Sequence, residues 1–285
     1  MKTLHKTAIS AATVALLAGL ASAPAFAADT PTNPEDAGSP IAANVTVVND
    51  YRYRGISQSN FKPAIQGGFD YAHESGFYIG NWNSSISWIS DAASAGGKNN
   101  VSAPIEMDFY AGFKKELLGE GFASDLGVLQ YYYPTTGLPS GATNPNTTEI
   151  YAAQNFTFGP VTGFAKFSYA VSTLFGFTNS TGSYYPDLTM NYDTGIWGLS
   201  LNAHVGYQYV AGNVQGSKPN QTNSSLYSYT DYKLGVTKDF GGGLSLAAAY
   251  ISTNAGMYKG AYNYSSPSGK NLGGSTGIVS LTKTF

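Results

Sequence analysis

The chain has 285 residues and a formal net charge of −2, and only 11% of its residues are charged. Soluble domains carry about 25% charged residues and nucleic-acid binders a basic excess, so the balance argues against both. The absence of cysteine excludes disulfides, a cysteine-ligated metal and an acyl anchor on an N-terminal cysteine.

The chain opens with Lys2, His5 and Lys6, continues with the apolar run Ala8–Leu20, and reaches Ala25-Phe26-Ala27. Positive start, short apolar run and small-residue site predict a secretory signal peptide over 1–27. The run is too short for a spanning helix, which needs about 20 residues. Residues 28–42 read as a flexible periplasmic leader, polar and without periodicity. No later segment is apolar enough for a spanning helix, so a membrane form of this chain has to be a closed barrel.

From Asn44 onward the side chains alternate. Val45, Val47, Tyr51 and Tyr53 share one parity, and Asn44, Thr46, Asp50, Arg52 and Arg54 the other. Only an extended strand sends alternate residues to opposite faces. The pattern predicts strands at Ala43–Arg54, Pro63–His73, Phe77–Trp88, Ile105–Lys114, Ser124–Tyr133, Thr148–Phe158, Val161–Val171, Tyr184–Asp193, Ile196–Val210, Tyr227–Phe240, Leu244–Ser252 and Gly277–Phe285. Connections after odd strands are long and those after even strands short. That is the signature of an all-β, transmembrane, antiparallel up-and-down barrel occupying 43–285, with long external loops and short periplasmic turns. Ten tilted residues at ~3.3 Å each cover the ~25 Å apolar band.

Two groups of aromatic residues fall at the strand ends, Tyr51, Tyr53, Trp88 and Tyr133 toward the long loops, and Tyr71, Tyr78, Tyr192 and Trp197 toward the short turns. They are expected as interfacial girdles. The polar parity gives the expected pore lining: Asp50, Arg52, Arg54, Asp70, Asn81, Asn83, Glu106, Asp108, Lys114, Lys166, Asp187, His204, Asp231 and Lys233. External positions add a basic mouth of Arg54, Lys62, Lys98, Lys218, Lys259 and Lys270.

The block Asp50-Tyr51-Arg52-Tyr53-Arg54-Gly55-Ile56-Ser57-Gln58-Ser59, followed by Pro63-Ala64, resembles the opening signature of the TorF family of porins. Weaker matches include Gly76-Phe77-Tyr78, Tyr131-Tyr132-Tyr133-Pro134 and Glu149. The resemblance implies an outer-membrane channel and brings no established binding residues. The terminal Phe285, with Val279 and Leu281 on its parity, resembles the C-terminal signal read by the outer-membrane assembly machinery.

The expected function is passive diffusion of small polar or ionic solutes across a bacterial outer membrane. The expected partners are outer-membrane lipid and lipopolysaccharide, the assembly machinery and the solutes themselves. No cofactor, metal site or nucleic acid is implied. Two alternatives stand beside it: a barrel enzyme of lipase or protease type built around His204, and a secreted carbohydrate-binding β-protein. An enzyme of that type needs a serine and an orienting group beside His204.

Overall fold

The computed structural model describes residues 40–94, 100–214 and 221–285. The expected signal peptide, most of the leader, Lys98 and Lys218 lie outside the described residues. Twelve strands close into one antiparallel barrel: β1 (Ile41–Val48), β2 (Ala64–Ala72), β3 (Phe77–Ser85), β4 (Ile105–Glu116), β5 (Phe122–Tyr132), β6 (Thr147–Phe158), β7 (Val161–Ala170), β8 (Tyr184–Asp193), β9 (Leu199–Gln208), β10 (Tyr229–Asp239), β11 (Leu244–Thr253) and β12 (Thr276–Thr284). Each pairs with its neighbours in the chain, and β12 closes on β1 through Val45↔Lys283 and Val47↔Leu281. Closure removes every sheet edge. No helix among the described residues is long and apolar enough to cross a membrane.

Alternation decides which face each side chain takes. Outside, Ile65, Phe69, Leu126 and Leu234 are exposed, Leu126 at 64% and Leu234 at 65%. Inside, Thr46 of β1 and Thr282 of β12 are buried and share a hydrogen bond of 2.8 Å. The barrel is therefore inverted relative to a soluble protein, with apolar groups outside and polar groups within. The interior is filled partly by tyrosines laid over glycines of the adjacent strand. Tyr151 covers Gly127 and Tyr185 covers Gly206, where any added Cβ would collide with the phenol.

Four expectations need correction. β1 ends at Val48, and residues 49–63 leave the sheet, so Tyr51 and Tyr53 are buried inside and form no girdle. On β3, Tyr78, Gly80, Trp82 and Ser84 point inward, and Tyr78 is buried inside the barrel, outside the girdle expected of it. Asn81 and Asn83 take the outward parity, paired with Phe69, Phe109 and Met107, and do not line the interior. Both amide nitrogens are bonded there, while Asn83 Oδ1 is buried without a partner among the described residues. Asn83 donates to Asn81 Oδ1 (2.5 Å), and Asn81 donates to the Asp108 carbonyl (3.0 Å). Trp88 lies outside β3, in the short helix α1 (Trp88–Ser94), and Tyr133 is buried beside it.

Candidate functional site: an inward-folded loop in the barrel interior

The first long loop, residues 49–63, is the centre of the interior. Asn49 starts it by clasping the edge of β12: its Nδ2 donates to the Gly277 carbonyl (3.2 Å) and its Oδ1 accepts from the Val279 amide (2.8 Å). Asp50 then acts as an internal hub, accepting from Arg52 Nε (2.6 Å), Ser57 Oγ (2.5 Å) and Ser59 Oγ (3.2 Å). Arg52–Tyr53 pairs with Ile56–Ser57 as a minimal hairpin. Its two turn residues, Arg54 and Gly55, both have positive φ (45° and 78°), the sense that two-residue hairpins favour. The Tyr-Arg-Tyr-Arg-Gly run thus forms a hairpin folded into the barrel.

Its side chains grip the walls. The Tyr51 hydroxyl donates to Glu106 of β4 (2.7 Å), and Tyr53 and Tyr131 of β5 share a hydrogen bond of 2.5 Å. Arg54 reaches the far side. Its Nη2 donates to both carboxylate oxygens of Glu149 of β6 (2.8 and 3.0 Å), and its Nη1 donates to Gln208 of β9 (2.6 Å). Its guanidinium lies 4.1 Å from the ring centroid of Tyr185 on β8, a cation–π contact strengthened by burial. β6 and β8 lie about half-way round the strand order from β1, so the loop bridges the barrel. Gly55 abuts the wall at Thr253 and Asp231, whose Cβ would sit 2.9 Å from an added methyl. From behind, Arg52 Nη1 donates to the carbonyls of Leu272 (2.6 Å) and Gly274 (3.2 Å) in the last long loop.

Beyond the hairpin the interior charges group on β2 to β10. Tyr110 donates to Asp70, and Tyr78 bonds both Asp125 (2.6 Å) and Tyr151. Lys166 sits 4.1 Å from the Tyr151 ring centroid. His204 lies between Asp187 (3.1 Å) and Asp231 (2.9 Å), with Tyr185 (3.0 Å) and Thr189 (2.9 Å) also in reach. No serine is among these partners, so the Ser–His arrangement of a barrel hydrolase is not assembled at His204. The opposite wall is uncharged, with Thr46, Ser280 and Thr282 facing in.

Asp70, Glu106, Asp108, Lys114, Lys166, Asp187, His204, Asp231 and Lys233 all take inward positions on their strands. Asp50, Arg52 and Arg54 are inside, but on the hairpin and not on a strand. Arg54 therefore leaves the expected basic mouth, where Lys62, Lys259 and Lys270 are exposed. Tyr185 is an interior partner that the pattern of polar residues left out. Tyr185 shares its parity with Asp187 and Thr189, which was the available signal.

Residues 32–285 match a family described as bacterial protein of unknown function (Gcw_chp). The chain belongs to that family. No curated protein sequence matches it. Among solved structures, the barrel is similar to the KdgM porin in complex with disordered oligogalacturonate, at 7% identity and TM-score 0.48, covering 86% of this chain and 98% of that one. It is also similar to OccAB3 of Acinetobacter baumannii (9% identity, TM-score 0.43, 86% and 65% covered). OprD of Pseudomonas aeruginosa aligns at 11% identity and TM-score 0.39, over 86% and 66% of the two chains.

Proposed function

We propose that this protein is a porin-like channel of a bacterial outer membrane, in keeping with the TorF resemblance. It passes small polar or ionic solutes by passive diffusion, and the 49–63 hairpin sets its constriction. The observation that carries this reading is the inversion of the barrel, an apolar exposed belt around an interior of carboxylates, lysines and hydroxyls. Strands of 8 to 12 residues match the length a tilted strand needs to span an apolar core. The long loops then face the outside of the cell and meet lipopolysaccharide. Solutes pass beside the hairpin when it gives way, since Thr46 and Thr282 on the uncharged wall are buried with it in place, and the charged wall and Arg54 bias which ions pass. An enzyme role is not part of this reading, because the partners given to His204 are Asp187, Asp231, Tyr185 and Thr189, with no serine nucleophile among them.

The test is single-channel recording of the purified protein in a planar bilayer. Discrete conductance steps are expected, with weak ion selectivity that shifts toward anions at low salt. A folded, inserted barrel that stays electrically silent, before and after removal of the hairpin contacts, overturns the channel reading. Assembly is tested separately. Phe285 is exposed at the end of β12 and its amide donates to the Ala43 carbonyl (2.9 Å). Its deletion is expected to lower the folded yield in the outer membrane, measured as the heat-modifiable fraction; an unchanged yield excludes it as an assembly signal.

A further inference from the structure

A cavity of about 490 Å³ lies over the hairpin, enclosed by the long loops. The hairpin contributes its floor through Tyr53 and Gln58, and Trp88, Tyr133, Phe175, Phe177, Tyr229 and Tyr264 surround it. These rings brace one another: Trp88 meets Tyr133 edge to face at 5.6 Å, and Tyr264 meets Tyr229 at 5.2 Å. The walls are thus built by contacts between distant segments, in the size range of small-molecule sites.

The lining says what kind of molecule fits. Asp91 is its sole charged residue, and that carboxylate is already held by Ser87 Oγ (2.8 Å) and Asn60 Nδ2 (3.1 Å). Several of its polar side chains are committed elsewhere, the Tyr229 and Ser265 hydroxyls excepted. Tyr264 donates to the Tyr227 carbonyl (2.7 Å), and Asn263 donates to the Leu226 carbonyl. Gln208 is used by Arg54 and by the Tyr184 and Tyr209 carbonyls. Burial, with the Tyr227 phenol beside it, pushes the Tyr264 phenol well above its usual range, so it stays neutral. A sugar or an ion would leave hydroxyls or charge unmatched here, at a desolvation cost. One buried group of this lining is left over among the described residues. Trp88 Nε1 is buried and has no hydrogen-bond partner among the described residues.

We infer that this cavity is a binding site for a neutral, mainly apolar or aromatic small molecule carrying a hydrogen-bond acceptor, which Trp88 Nε1, shielded in the free protein, engages by a turn of the indole. The cavity borders the proposed constriction, but binding is read without conduction, so a silent channel would leave the site standing and an empty cavity would leave the channel reading standing.

Coumarin is a suitable probe, being neutral, planar and equipped with a carbonyl. Its binding to the full chain in nanodiscs is measured by equilibrium dialysis against empty nanodiscs, with coumarin-3-carboxylate and methyl glucoside as matched ligands. Saturable one-to-one coumarin binding is expected, with the carboxylate and the glucoside weaker by at least about tenfold. Trp88→Phe keeps the ring and removes the donor, and is expected to weaken coumarin by about fivefold. Ala93→Trp, which fills the cavity from α1, is expected to abolish binding. Heat-modifiable migration verifies the fold of each variant, and Trp88→Phe carries the test should Ala93→Trp misfold. Uptake equal to that of empty nanodiscs, coumarin binding unchanged in Trp88→Phe, or tighter binding of the carboxylate or the glucoside overturns the assignment.

Discussion

The first and last long loops have similar raw material and opposite fates. Residues 49–63 and 254–275 both carry alternating tyrosines, basic residues and glycines, and both fold a two-residue hairpin. The first is inside the barrel, with Tyr51 exposed by 2%. The hairpin of the last, Met257–Tyr258 with Ala261–Tyr262, projects outward with Met257 exposed by 55%. The difference lies in the partners. Asp50, Arg52 and Arg54 find a hub, carbonyls, a carboxylate and an aromatic face within the walls. A buried charge is tolerated only when paired and hydrogen-bonded. Lys259 has a cation–π contact with its neighbour Tyr258 at 5.2 Å and no salt bridge among the described residues, so its hairpin stays in water. The last loop instead serves the first, through the carbonyls that hold Arg52.

The sharpest way to break the contrast is Arg54→Ala. It leaves Glu149 buried without its guanidinium, a loss of about 3–5 kcal/mol for a buried pair. The hairpin is expected to leave the interior, raising single-channel conductance several-fold and lowering the thermal midpoint. Arg54→Lys keeps the charge but loses the fork, and should fall between. Unchanged conductance in Arg54→Ala would show that the hairpin does not set the constriction.

Gly55→Val attacks the same placement from its backbone. Positive φ costs a non-glycine residue about 1–2 kcal/mol, and the wall at Thr253 and Asp231 leaves no room. A conductance rise smaller than that of Arg54→Ala is expected, with frequent switching between levels. A trace indistinguishable from wild type would mean that the wall yields.

Excising the outward hairpin 257–262 tests the other side of the comparison. Stability should change by no more than about 0.5 kcal/mol, and conductance should hold, since the Leu272 and Gly274 carbonyls remain. A large conductance change would assign the last loop a part in the constriction. The smallest effect is expected from Asn81→Leu with Asn83→Leu. These side chains lie on the outer belt, so reversal potentials across a salt gradient should be unchanged; a shift in selectivity would restore them to the pore lining.

The strand count and most of the inward charges were legible because a period of two is unambiguous where apolar and polar residues strictly alternate. Asp70, Glu106, Asp187 and Asp231 all follow from that rule. β3 was misread because Tyr78 and Trp82 suit either face, and amides read as polar pointed the wrong way. What placed them was register with Phe69 and Phe109, which no single strand reveals. The 49–63 hairpin was illegible for a related reason. Asp50 to Arg54 alternate as a strand would, and a two-residue hairpin keeps that alternation. The decision rests on Glu149 and Gln208, distant in sequence, and only closure of the barrel brings them to Arg54.

The tyrosines laid over glycines have a consequence for how such a sequence can drift. At Tyr185 and Gly206 neither partner can change alone: a larger residue at 206 strikes the phenol, and a smaller one at 185 opens a hole under Arg54, His204 and Asp231 at once. Such positions are expected to change as couples. Mutational neighbourhoods around them are sparse, so sequence divergence in this barrel should run along the outer belt and the exposed loops, while the tyrosine–glycine couples move together or not at all.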